Sequence, residues 1–111
     1  MPKLMHSMTA AFLAGGVAAC VTVALAAEHT IGQKGKVFSK TDISIKAGDA
    51  LVFVNDDTIA HNVMSMDPDN KFNLGSLKPG SSTPVTFKTA GDFQVICAIH
   101  PSMKMRVKVV N

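Results

Sequence analysis

The sequence GDFQVICAIHPSMKMRVKVV, residues 91–110, combines a clear strand pattern with an unusual spacing of sulfur and imidazole side chains. Phe93, Val95 and Cys97 alternate with other residues in its first half. A period of two predicts that they share the buried face of a β-strand, with Cys97 at its end. The closing VKVV repeats the alternation. The stretch therefore predicts two strands joined by a short loop.

Similar short alternating segments recur along the chain, and turn sequences such as KAGD, KPGSS and TAGD separate them. Strands at this spacing favour an all-β sandwich or barrel, with antiparallel strands in a Greek-key order that places consecutive strands on different sheets. No helical periodicity follows the amino-terminal segment. The predicted strands lie at Val37 to Phe38, Ile43 to Ile45, Ala50 to Val54, His61 to Met64, Val85 to Phe87, Phe93 to Cys97 and Arg106 to Val110.

The amino-terminal segment has the parts of a secretory signal peptide. An uncharged apolar run over residues 9–27 follows a basic start, and small residues at Ala24 and Ala26 form an A-x-A cleavage signal. We expect residues 1–26 to be a helical signal peptide that is removed after Ala26. Residues 27–111 are then one periplasmic domain, because no linker or repeat divides them.

Two alternatives for this segment would place the protein at a membrane. The run is just long enough to be an uncleaved spanning helix, which needs about 20 apolar residues. VAAC, ending at Cys20, is similar to a bacterial lipobox, which would make Cys20 a lipidated first residue. The apolar VTVALAA that follows argues against lipidation, and the small residues at the end of the run favour cleavage.

The composition of the expected mature domain excludes some functions and favours a metal. Its net charge falls to about +2, too weak to indicate a nucleic-acid partner. Cys97 is the one cysteine left, so no internal disulfide can form in a compartment where thiols are normally paired. A domain of about 85 residues has a small core, and such domains often gain stability from a bound metal.

The loop CAIHPSMKM supplies the candidate ligands. Cys97, His100, Met103 and Met105 lie within nine residues. A thiolate, imidazoles and a weak thioether are the donors of a blue-copper electron-transfer site, which has two histidines and a cysteine in a plane and a methionine on the axis. Core packing alone would rarely produce this spacing, so we predict one copper ion here.

The second histidine is expected to be His61, in the segment DTIAHNV. His6 leaves with the signal peptide, and His29 lies beside the new amino terminus, in a segment expected to fray at the surface. His61 comes from a different strand edge than Cys97 and His100. The metal would therefore join two distant segments of a folded scaffold.

These residues resemble those of the cupredoxins, the family of plastocyanin, pseudoazurin and amicyanin. The resemblance covers nearly all of the expected mature chain, through GDALVFVNDD, HNV, FNLG, KPG, GDFQVICAIHPSM and VKVV in that order. It implies that His61, Cys97 and His100 are the equatorial ligands. It also implies that Asn62 ties the two ligand loops together, while its backbone supports the thiolate.

The axial ligand has two candidates. Met103 gives C-x-x-H-x-x-M, which resembles the short amicyanin loop, whereas Met105 gives the longer plastocyanin or pseudoazurin spacing. We favour Met103, because HPSM followed directly by a strand resembles the short-loop members. Met64 and Met66 are interpreted as core residues with no copper role.

The function predicted is transfer of single electrons between redox proteins. The resemblance implies that His100 is the electron port, inside an apolar patch that Ala98, Ile99 and Pro101 could form. We expect a monomer that docks weakly and briefly on a dehydrogenase, cytochrome or oxidase. The chain has no serine, histidine and carboxylate set and no phosphate loop, so we do not expect an enzyme.

Two other functions remain open. A copper-handling protein for storage, delivery or resistance would use the same ligands, but would exchange its metal readily. It would be favoured by histidine or methionine runs beyond the four ligands, and the sequence has none. A metal-free sandwich that binds other proteins is disfavoured by the CAIHPSM loop.

Overall fold

The structure, a computed structural model, describes residues 25–111. This part of the chain consists of strands, turns and loops, and none of it is a helix that could span a membrane. The strands are β1 (Glu28–Lys34), β2 (Val37–Phe38), β3 (Asp42–Lys46), β4 (Ala50–Asn55), β5 (Met64–Ser65), β6 (Phe72–Asn73), β7 (Ser82–Thr86), β8 (Gly91–Ile96) and β9 (Lys104–Val110).

The strands form two sheets. The first sheet has the order β2-β1-β4-β7 and the second the order β3-β9-β8-β5-β6. Two of the pairings, β1 with β4 and β3 with β9, are parallel, and the other strand pairs are antiparallel. The sheets pack as a sandwich because each strand turns its apolar residues towards the other sheet.

The core follows from this alternation. In β4 every second residue is buried, including Leu51 and Phe53, and β9 buries Met105, Val107 and Val109 in the same way. Aromatic rings extend across the space between the sheets, in edge-on and tilted contacts that apolar rings prefer. These contacts join Phe38 to Phe53, Phe53 to Phe72, Phe72 to Phe87, and Phe87 to Phe93.

The predicted all-β sandwich is confirmed, with exceptions in its details. Purely antiparallel pairing was wrong for β1 with β4 and for β3 with β9. In each pair, the segment between the two strands includes at least one strand of the other sheet. The second strand of the pair then runs in the same direction as the first. The expectation that consecutive strands occupy different sheets also fails for the pairs β1–β2, β5–β6 and β8–β9, which stay within one sheet.

Some strands were missed or misplaced by the prediction from alternating apolar residues. β1 was not predicted, yet it lies inside the first sheet and buries Ile31 and Gln33 completely. The fraying expected around His29 was therefore wrong, since that residue pairs with Leu51 of β4. The proposed strand from His61 to Met64 is reduced to a single bridge at His61 followed by β5. The predicted signal helix and Cys20 lie outside the described residues.

Candidate metal centre

The loop between β8 and β9 carries three of the predicted ligands on tight turns. Cys97 follows directly after β8, and its N–H donates to Met103 O at 3.1 Å. His100 N donates to Cys97 O at 3.2 Å, and Met103 N donates to His100 O at 2.8 Å. These backbone bonds fold the loop back on itself. The backbone of the three predicted ligands is therefore held by hydrogen bonds within the loop itself.

His61 reaches the same place from another segment. Its backbone forms a two-way bridge with Leu77: His61 N donates to Leu77 O at 3.1 Å, and Leu77 N donates to His61 O at 2.7 Å. The His61 side chain is fully buried. Its ring and that of His100 lie 5.1 Å apart between centroids and are inclined at 59°. The two imidazoles therefore approach each other around the thiol.

The distances between donor atoms fit one ion. The Cys97 Sγ lies 4.0 Å from His61 Nδ1 and 3.9 Å from His100 Nδ1, and the three donor atoms are all within 4.8 Å of one another. An ion bonded at about 2.3 Å to sulfur and about 2.0 Å to nitrogen, with bonds about 120° apart, needs the sulfur and each nitrogen about 3.7 Å apart. A thiolate with two imidazoles in a trigonal arrangement suits copper.

The predicted ligands differ in their exposure to solvent. Cys97 is fully buried, whereas His100 is only partly buried. Around His100 the exposed apolar side chains include Ile99, at 52 %, together with Ala98 and Pro101, as the predicted patch requires. Of the four predicted donors, His100 is thus the one at the surface of the molecule.

Asn62 joins the two ligand-bearing segments. Its backbone N–H donates to Cys97 Sγ at 3.3 Å, and its side-chain Oδ1 accepts from Ala98 N at 3.1 Å. The side-chain Nδ2 donates to Asn73 Oδ1 and to Gly75 O, both at 2.8 Å. The role that the resemblance implied for Asn62 is therefore present in the hydrogen bonds. A donor to the sulfur stabilises a thiolate there.

Asp57 is a member of the site that sequence reasoning missed. Its Oδ2 lies 3.0 Å from His61 Nε2, the ring nitrogen that points away from the thiol. The hydrogen bond from His61 lowers the pKa of the Asp57 carboxyl, so it is ionised at neutral pH. A carboxylate on the outer nitrogen fixes the tautomer that leaves Nδ1 free for a metal. The signal available was an acidic residue four positions before the histidine.

Gln33 supports the site from β1, and it too was missed. Its side chain is fully buried, and Nε2 donates to Asn62 O at 3.2 Å. The Asn62 backbone is thereby held on both sides of its Cα, since its C=O accepts from Gln33 and its N–H is directed at the thiol. No local feature of EHTIGQK marks this glutamine as part of a site 29 residues away.

The register of β8 and β9 separates the two methionine candidates. Val95 pairs with Met105, and Ile96 with Lys104, which places Met103 opposite Cys97. Both methionines are buried on the predicted shared face, but Met105 lies one step further into the core. The interpretation of Met66 as a core residue was wrong, since it is 65 % exposed; Met64 is partly buried in β5.

A family description matches most of the chain. Residues 23–110 match the family described as copper binding proteins, plastocyanin/azurin family. Amicyanin-alpha of Methylorubrum extorquens is 31 % identical over 106 residues, which cover 93 % of this chain and 88 % of that protein.

Solved structures with the same fold include proteins of quite different size. A purple cupredoxin from Nitrosopumilus maritimus superposes with a TM-score of 0.65 at 26 % identity, over 73 % of this chain and 98 % of that one. A Cu-containing nitrite reductase from Thermus scotoductus gives a TM-score of 0.70 at 26 % identity, over 76 % of this chain. This chain spans only 22 % of that longer enzyme. A reduced amicyanin variant superposes with a TM-score of 0.69 at 23 % identity, over 79 % of this chain and 86 % of that one.

Proposed function

The chain belongs to the plastocyanin/azurin family of copper-binding proteins, and from this premise we propose that it is a periplasmic carrier of single electrons. The ligands we assign to its copper are His61, Cys97, His100 and Met103. The observation that carries the assignment is the convergence of two imidazole nitrogens, from separate segments, at 3.9 and 4.0 Å from one buried sulfur.

Rigid donors are what rapid one-electron transfer needs. Bound copper supplies the chemistry by alternating between Cu(I) and Cu(II). The chain holds its donors through backbone bonds, at the Leu77 bridge for His61 and at the tight turns for Cys97 and His100. Because these contacts are made by the backbone, they anchor the donor-bearing residues independently of the side chains. Little ligand movement then accompanies a change in charge.

Met103 is assigned as the axial ligand. Its position opposite Cys97 in the register supports this choice, while Met105 faces Val95 within the sandwich. A thioether on the axis is a weak donor that tunes the reduction potential. Met105 is assigned to the core as a flexible apolar side chain.

Electrons would enter and leave through His100. His100 is partly buried and lies between the exposed residues Ile99 and Pro101 in the sequence. On the other ligand segment, Ile59, 41 % exposed, lies two residues before His61. A small apolar surface around a redox centre suits brief docking of other redox proteins. We propose that this monomer exchanges electrons there with a dehydrogenase, cytochrome or oxidase.

We assign no enzymatic reaction to the chain. A catalytic metal site keeps a position open for substrate or water, whereas four protein donors from this site leave none free. The nitrite reductase that superposes on it is a far longer protein, so its reaction is not transferred to this chain.

The periplasmic location rests on the amino-terminal segment. Leu25, Ala26 and Ala27 are exposed and precede the first strand, so a peptidase could reach the Ala26–Ala27 bond without disturbing a strand. We propose cleavage there, which leaves residues 27–111 as the mature domain.

The test is the visible spectrum and electron exchange of the copper-loaded protein. Cu(II) should produce an intense charge-transfer band from the thiolate, and Cys97→Ser should abolish it while Met66→Leu, at an exposed methionine, leaves it unchanged. Electron exchange with a small redox protein should then be fast. A colourless adduct would contradict the site. A coloured protein that exchanges electrons slowly but surrenders copper to a chelator would instead indicate copper handling.

A further inference from the structure

A second group of metal-binding nitrogens lies at the start of β1, apart from the cysteine site. Ala27 N donates to Asp49 Oδ1 at 3.0 Å, and His29 Nε2 lies 3.2 Å from Oδ2 of the same carboxylate. Two nitrogens separated by one residue, Glu28, are therefore gathered on one side of the chain. Neither contact is used by the electron-transfer site.

Cleavage at the proposed position changes the chemistry of this group. A signal peptidase adds water across the Ala26–Ala27 bond, giving Ala26 a carboxylate and leaving Ala27 with a free amine. The new terminus then reads Ala-Glu-His. A free amine followed by two peptide nitrogens and a histidine at the third position can wrap a metal in fused chelate rings. All four donors are nitrogen, and they lie in one plane.

We propose that removal of the signal peptide creates a second metal site, for Cu(II) or Ni(II), from the Ala27 amine, the peptide nitrogens of Glu28 and His29, and His29 Nδ1. Tetragonal nitrogen ligation is the preference of these two ions. Binding releases the peptide protons and any proton on the amine to solvent, while the metal stays divalent. The site rests on the proposed cleavage but not on electron transfer.

The surroundings allow the chelate to form. Ala27 and Glu28 are exposed, and the His29 side chain is 30 % exposed. Within residues 25–111, the hydrogen-bond partner of the His29 ring is at Nε2, so Nδ1 is available. The first pairings of β1, at Glu28 and His29, must open to free the peptide nitrogens. The rest of the strand stays anchored by fully buried Ile31 and Gln33.

Asp49 competes with the metal for the same nitrogens. Hydrogen bonds from the backbone of Ala27 and Lys46, and from the His29 ring, lower the pKa of its carboxyl to about 2. It therefore remains charged and holds the amine and the imidazole in the metal-free protein. Neutralising this carboxylate should tighten metal binding by about threefold, the scale of a weak surface ion pair.

The experiment uses the full-length chain exported from a bacterial host, in a Cys97→Ser background that removes the first site's thiolate. The intact mass of the purified protein gives its first residue. Ni(II) titration should then give one equivalent of a yellow square-planar complex. The His29→Gln variant should not form this complex. A variant with one alanine inserted between Ala27 and Glu28 should not form it either, because the insertion keeps every side chain but moves the histidine to the fourth position. Asp49→Asn should bind more tightly.

Two results would overturn the proposal. One is an intact mass showing that the exported protein begins at a residue other than Ala27. The other is a Ni(II) complex that is absent, or that survives both His29→Gln and the insertion. Circular dichroism of each variant checks that it is folded, and the insertion, which lies outside the core, serves if His29→Gln unfolds. None of these measurements depends on whether the protein carries electrons.

Discussion

Replacing Asn62 with alanine removes the side chain that joins the two ligand-bearing segments. Its amide makes three hydrogen bonds, to Asn73 Oδ1, Gly75 O and the Ala98 N–H. At about 1 kcal/mol net for each bond, the variant should lose about 3 kcal/mol of unfolding free energy. For a domain of this size, that corresponds to a fall in melting temperature of about 12 to 24 °C.

The assay is urea unfolding of the metal-free protein, so that no metal contributes to the stability measured. Asn70→Ala is the matched control, since Asn70 is 8 % exposed against 6 % for Asn62 and its side chain makes one hydrogen bond, to Asp67. It should lose about 1 kcal/mol. In the copper-loaded protein, only the Asn62 variant should change the visible spectrum, because the lost side-chain bonds position the backbone N–H that is directed at Cys97 Sγ.

Equal losses of stability in the two variants would refute this reasoning. So would an Asn62→Ala protein within about 0.5 kcal/mol of the native one, the range of an ordinary surface substitution. Either result would mean that the ligand segments are held together by the surrounding strands alone. The site would then owe its geometry to the sandwich and not to this amide.

Three further predictions concern the site and the terminus. Met103→Leu should raise the reduction potential of the bound copper, measured by voltammetry, because the axial donor is lost. Met105→Leu should leave the potential unchanged. Each substitution should lower the free energy of unfolding by less than about 1.5 kcal/mol. Asp57→Asn should weaken copper binding by about 10- to 100-fold, measured by competition with a chelator, because the His61 ring loses its orienting carboxylate. The metal-free protein should lose stability as the pH falls from 3.8 towards 2. The pKa of Asp49 is about 2 in the folded chain, below its ordinary value of 3.8, so its carboxylate stabilises the fold fully only above about pH 3.8.

Each of these has its own control. For the methionines, equal changes in potential would contradict the register argument. Asp56→Asn, at the exposed neighbouring carboxylate, should leave copper affinity unchanged, and a similar loss there would remove the special role of Asp57. In urea unfolding between about pH 4 and pH 2, Asp49→Asn should show a shallower loss of stability than the native chain. Identical slopes would show that other carboxyls govern the acid response.

Local pattern predicted those strands whose buried face is apolar. β4 and β9 alternate buried and exposed side chains strictly, so their period of two was readable. β1 was missed because its buried positions are an isoleucine and a glutamine on either side of Gly32, which does not read as an apolar face. Its place in the sheet comes from pairing with β4, a contact between segments that local sequence does not encode.

The same distinction applies to the site. Cys97, His100 and Met103 lie in one loop, so their spacing alone marked them, and His61 followed because the other histidines lay near the amino terminus. Asp57 and Gln33 act through partners that only the folded chain brings near. Asp57 reaches back to the far side of the His61 ring, and Gln33 crosses from β1 to the Asn62 peptide.

The complete burial of Cys97 has a consequence for the protein before it meets copper. Exchange of a thiol with a disulfide requires one sulfur to approach another directly. In an oxidising compartment, an accessible lone cysteine would join two copies covalently or be trapped by a small disulfide. Here the sulfur has no exposed surface. In such a compartment the folded, metal-free chain would thus keep its thiol out of disulfide exchange until the metal arrives, without a dedicated reductant.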